Sequence, residues 1–130
     1  GRTITTDYTS LGGANATARL LSKEPRPTAI IYDSDIMAVA GLSTAQELGL
    51  SVPEELSLAS FDDSILCEVV RPALTACARD VQAYGATAAR ALVSVIEGED
   101  VPLHGEQSSV LVARASTAEA PGRVGAWGGQ

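Results

Sequence analysis

The chain has 130 residues and a formal net charge of −7, from 9 Lys plus Arg against 16 Asp plus Glu. Apolar residues make up 45% and charged residues 19%, too apolar for a disordered chain and enough for one domain around one core. The acidic balance argues against this chain gripping phosphate backbones by itself, and its longest apolar runs, near Thr28–Tyr32 and Val110–Ala113, fall far short of the roughly 20 residues that span a membrane.

Leu11, Ala14, Ala18 and Leu21 recur at helical spacing and predict a helix over Leu11–Lys23, ended by Pro25 and Pro27. Thr28–Tyr32 reads as a buried strand. A second helix is expected over Asp35–Leu48, with Ser34 as N-cap, Gly49 as stop, and Met37, Ala40, Gly41, Thr44 and Leu48 as its buried stripe. Leu56–Phe61 is the next strand, Ser64–Val70 is ambiguous between helix and loop, and Ala73–Cys77 is a short strand. Asp80 caps a long helix to about Ile96, closed by Gly98, whose stripe is Val81, Tyr84, Gly85, Ala88, Leu92, Val95 and Ile96. Gln107–Ser116 holds the last strand. From Ala118 the Pro- and Gly-rich text has no periodicity and reads as a flexible tail. The alternation makes this an α/β chain, with a mostly parallel open sheet and helices on both faces. In such sheets ligands bind beyond the carboxyl ends of the strands.

The chain opens on Gly1, which reads as processed or partial, and shows no signal-peptide pattern. Cys67 and Cys77 have no ligand-like spacing to each other or to the single histidine, His104. No metal, no cofactor and no disulfide is therefore expected, and free thiols point to the cytoplasm.

Two acidic clusters fall at strand ends: Asp33-Ser34-Asp35 and Asp62-Asp63. Carboxylates at a crevice suit polyhydroxylated ligands, because each can accept two hydroxyl hydrogen bonds. Asp and Ser at such junctions also cap helices, and the pattern alone leaves both readings standing. Adjacent Asp62 and Asp63 on extended chain point to opposite sides, so they are not a glycosidase pair. No GxSxG, HExxH, Walker or GxGxxG signature is present, and the reading is non-enzymatic. Tyr8 is either a platform for the apolar face of a sugar or a packing residue at a helix entrance. Arg79 is either a ligand fork or a surface charge. His104 and Trp127 receive no role.

Several phrases occur in a familiar order: Pro27-Thr28-Ala29-Ile30, Asp35-Ile36-Met37-Ala38, Ala45-Gln46-Glu47-Leu48-Gly49, Val52-Pro53-Glu54-Glu55-Leu56-Ser57, Phe61-Asp62-Asp63, Pro72-Ala73-Leu74-Thr75 and Arg114-Ala115-Ser116-Thr117. In this the chain resembles the C-terminal part of lactose-repressor/galactose-repressor (LacI/GalR) type transcriptional regulators, over about residues 3–118. The resemblance implies one subdomain of a type I periplasmic-binding-protein-like effector domain, in which two α/β halves close on a sugar or related metabolite. It assigns residues 1–117 to the C-terminal subdomain with the last crossover segment, the helix at about 80–97, and 118–130 to the tail. Operator DNA would be read by an N-terminal helix-turn-helix that this chain does not contain, and the first α/β subdomain is missing too. A sugar-binding protein of a transport system, with the same fold, is the alternative.

Position by position, the resemblance places Tyr8, Ser34, Asp62 and Arg79 at ligand-facing sites. Ser34 stands where Asn is usual, Arg79 where Gln is common, and Ser60 where Gly is usual. Asp35 and Asp63 would support turns or caps, and a homodimer would form partly through Leu66, Val69 and Val70. With the other subdomain absent, the stripe on the Asp80–Ile96 helix has no native cover. It is expected to fold back onto its own chain or to meet a second copy.

Overall fold

Thr9 starts the first helix: its hydroxyl accepts the Gly12 N–H at 2.9 Å, and α1 runs Ser10–Leu21. The computed structural model describes residues 2–99 and 109–120. His104, Trp127, the Gln107 start expected for the last strand and the tail beyond residue 120 lie outside the described residues.

The elements that follow are β1 (Ala29–Tyr32), α2 (Asp35–Glu47), β2 (Ser57–Ser60), α3 (Ile65–Val69), β3 (Thr75–Ala78), α4 (Val81–Ile96) and β4 (Val110–Val112). The ambiguous stretch is thus a short helix, N-capped by the Ser64 hydroxyl, which accepts the Leu66 N–H at 3.2 Å. The strands lie in the order β1-β2-β3-β4. The first three are parallel, with Tyr32 beside Ser60 and Ser60 beside Ala76. β4 is antiparallel to β3, Val110 lying beside Ala78. A chain that leaves β3 at its carboxyl end and re-enters the sheet beside that same end can only run back along it.

The helix faces differ from those expected. On α1, Gly13, Thr17 and Leu21 are buried while Leu11 is exposed. On α2, Met37, Ala38, Gly41, Leu42 and Ala45 are buried, and Leu48 is exposed. Close approach of small residues explains this. A Cβ on Gly13 would lie 2.8 Å from Met37 Cα, and one on Gly41 would press on the Tyr32 hydroxyl and Thr17 Oγ1. Glycine and threonine thus make the contact that the hydropathy pattern assigns to leucine and alanine. α2 also packs against both α1 and the sheet, so it buries a wider arc than one stripe.

Ile30, Tyr32, Leu56, Leu58, Leu74 and Ala76 meet Met37, Leu42 and Cys67 in the core. Ser116, fully buried, locks the returning chain between β2 and β3. Its hydroxyl donates to the Leu58 carbonyl at 2.6 Å and accepts the Thr75 N–H at 2.8 Å. The contact continues to Ala118, whose N–H donates to Ser57 Oγ at 3.1 Å.

α4 begins as expected, with the Asp80 carboxylate accepting the Ala83 N–H at 2.8 Å, and Gly98 follows it at φ +79°. No residue of α4 is buried, and Val81, Tyr84, Leu92, Val95 and Ile96 are all exposed. The expected fold-back of this stripe onto its own chain does not occur among the described residues. The core that α1, α2, α3 and one sheet face form closes without any residue of α4. No described helix is long and apolar enough to cross a membrane.

The Tyr32 hydroxyl is buried against Thr17 Oγ1 at 2.8 Å, and burial pushes its pKa up to about 12. The unfolded chain ionises near the ordinary value of 10.0. Because the folded value is the higher one, this contribution is complete below about pH 10 and is lost as pH rises toward about 12. A urea-unfolding series from pH 9 to pH 12 is expected to show stability falling by about 2 kcal/mol over that window. Tyr32→Phe should flatten that part of the decline, and an equally steep decline in the variant would exclude Tyr32 as its source.

Candidate functional site

The carboxyl ends of β1, β2 and β3 carry two short turns and a connector, and side chains tie the three together. Asp35, the first residue of α2, accepts its neighbour Ile36 N–H at 2.7 Å through one oxygen, and Ser64 Oγ donates to the other. That bond joins the β1–α2 turn to the β2–α3 turn. The Asp62 N–H donates to Ser60 Oγ at 3.1 Å, so the serine shapes the turn that presents Asp62.

Asp62 and Asp63 point apart, as adjacent residues on extended chain should. Asp63 is gripped by both Arg114 nitrogens at 2.8 Å, with side chains only 11% and 15% exposed. Arg114 also donates to the Leu74 carbonyl at 2.8 Å. This pair with Asp63 holds the Arg114 guanidinium above its usual pKa. Asp62 faces the other way, where one carboxylate oxygen accepts from Arg79 at 2.7 Å; both side chains are about half exposed. Between them lies a cleft of about 580 Å³, lined by Asp35, Asp62, Asp63, Ser64, Cys77, Arg79, Val81, Tyr84 and Ser109.

Tyr8 and Ser34 stand outside that lining. Tyr8 is exposed and holds a left-handed backbone, φ +62°, which a non-glycine residue rarely adopts. Its hydroxyl donates to Asp33 Oδ2 at 3.1 Å, and this hydrogen bond, then the charge of Asp33, raises its pKa. Both residues rim a second open cleft, of about 820 Å³, along the free edge of β1. Ser34 occupies the N-cap position of α2 without capping it. Its hydroxyl is buried with no hydrogen-bond partner among the described residues, while the Asp35 carboxylate takes the first helical N–H instead. Leu66 and Val69 are exposed, and Val70 is half-buried, packing in part against the chain's own core.

Sequence reasoning did not single out Arg114 or Ser64. Arg114 lies next to a hydrophobic strand, the one place where a buried arginine signals a carboxylate partner. Cys67 is buried and Cys77 half-buried, both as free thiols, and burial pushes the Cys67 thiol up. Among the described residues no His, Cys, Asp or Glu group of three or more is arranged to hold a metal ion.

Residues 2–117 match the family described as the periplasmic binding protein-like domain. The HTH-type transcriptional regulator MalR of Streptomyces coelicolor is 40% identical over 120 residues, which are 91% of this chain and 34% of that protein. A LacI family transcriptional regulator from Bifidobacterium animalis subsp. lactis superposes with a TM-score of 0.89 at 50% identity, over 92% of this chain and 44% of the other. The transcriptional regulator CelR, solved in complex with cellobiose, superposes with a TM-score of 0.78 at 31% identity, over 85% of this chain and 34% of the other. The chain spans about a third of the length of the curated relatives it matches. It belongs to the periplasmic binding protein-like domain family, in the form that LacI-family transcriptional regulators carry.

Proposed function

We propose that residues 2–117 are the C-terminal half of the effector-binding domain of a LacI-type regulator, acting without catalysis in the cytoplasm as a homodimer on operator DNA. One observation carries this reading: the cleft at the carboxyl ends of the strands, where Asp62 and Arg79 offer hydrogen-bonding groups to a small polar ligand. The relative solved with cellobiose supports a sugar as effector. Tyr8, at the neighbouring rim, and Ser34, behind it at the start of α2, complete the ligand contacts when the second α/β half closes. The bare face of α4 is the surface on which that half rests, and the tail starts after Ala118 rather than at it, since Ala118 is bonded to Ser57. DNA reading belongs to a helix-turn-helix outside this chain, a reading that the −7 net charge of these residues supports. A thermal-shift screen of the intact regulator with mono- and disaccharides, neutral and charged, tests the reading. At least one sugar should raise the melting temperature in a concentration-dependent way, and no shift with any of them would overturn it.

Dimerisation is expected to use the exposed apolar side chains of α3. Leu66→Asp with Val69→Asp should give monomers in sedimentation, while Val70 is left alone because it serves the core. An unaltered dimer would exclude this surface.

A further inference from the structure

We propose that the effector is an uncharged sugar, and that the Asp62–Arg79 pair is what excludes phosphorylated and acidic sugars. This rests on the reading of the cleft as the effector site. Three carboxylates line it, those of Asp35, Asp62 and Asp63, against one guanidinium, that of Arg79. Arg114 lies behind Asp63 and is wholly engaged with it and the Leu74 carbonyl. Three negative charges against two positive ones leave the cleft net negative, and Glu68, 3.6 Å from Arg114, adds to that sign.

Among the described residues Arg79 is the one cation lining the cleft, and Asp62 holds one of its nitrogens at 2.7 Å. A phosphate or carboxylate accepting from the remaining Arg79 N–H groups would sit beside the Asp62 carboxylate, a like-charge contact with a large penalty. A neutral hydroxyl meets no such penalty. It donates to a carboxylate oxygen and accepts from a guanidinium N–H, so one polyol can bridge the pair without breaking it. Asp35 and Asp63 enter this choice through their charge rather than by contact, since Ser64 with the Ile36 N–H and Arg114 respectively engage their oxygens. Arg79 is thus a specificity-determining residue: it neutralises Asp62 and offers its remaining N–H groups only beside that carboxylate.

Calorimetry on the intact regulator tests this with glucose and cellobiose against glucose 6-phosphate, cellobiose 6-phosphate and glucuronate. A neutral sugar should bind at least about tenfold more tightly than its charged counterpart. Asp62→Asn removes one negative charge and releases Arg79, so the ratio should shift toward the anionic sugar by about tenfold or more. Arg79→Gln should shift it the opposite way. Equal or tighter binding of the charged sugars by the unsubstituted protein would overturn the inference and leave the sugar reading standing. A ratio unmoved by either substitution would overturn the assignment to this pair. Failure of every sugar, neutral and charged, would overturn the sugar reading itself, and the inference with it.

Discussion

Arg114→Ala is expected to destabilise the domain by about 3 kcal/mol or more, the cost of leaving a desolvated carboxylate unpaired. The two oxygens of Asp63 each accept an Arg114 nitrogen at 2.8 Å, and the pair is nearly closed off from solvent. The same guanidinium donates to the Leu74 carbonyl, at the start of β3. It therefore joins the β2–α3 turn to the chain that returns after β4. Removing it strands a carboxylate and a backbone carbonyl together, and each unsatisfied buried group has its own desolvation cost. For a domain of this size the melting temperature should fall by roughly 10 °C. Arg114→Met combined with Asp63→Asn removes both charges and should recover much of the loss, because the pair itself contributes little beyond what its own desolvation costs. A single Arg114→Ala variant within about 0.5 kcal/mol of the parent in urea unfolding would show that water reaches Asp63 freely and that the pair is a surface one.

Asp62→Ala in the intact regulator is expected to weaken effector binding by about 10- to 150-fold, the equivalent of one charged hydrogen bond at roughly 1.5–3 kcal/mol. The domain's stability should barely change, because Asp62 is half exposed and its ion pair with Arg79 is a solvent-screened one. This separation of readouts distinguishes it from Asp63, whose loss acts on folding. Effector affinity unchanged within about twofold would remove Asp62 from the site. A substantial fall in melting temperature without ligand would instead make it a structural residue like its neighbour.

Asp62 and Asp63 show how far local chemistry can be read from text. Both stand at a strand end, both are acids, and their opposite orientation follows from the pleat. Which one is buried against a cation does not follow, because the cations come from 17 and 51 residues away in sequence. Ser34 teaches the same lesson in reverse. Its residue type and position predict a cap, yet Asp35 captures the helix N–H first and Ser34 Oγ is left buried without a partner among the described residues.

The amino-acid sequence alone determined the order of the main helices and strands and the cap at Asp80, since apolar runs, turn residues and caps act over a few residues. The tertiary structure decided which helix faces are buried. Gly13 and Thr17 carry almost no hydropathy signal and matter only because α2 and Tyr32 come within contact of them. It also decided that β4 runs antiparallel, that α4 stands clear of the core, and that Arg79 answers Asp62 while Arg114 answers Asp63. These outcomes depend on where distant segments meet, and a one-dimensional pattern does not encode a meeting between residues whose separation is set by the path of the sheet.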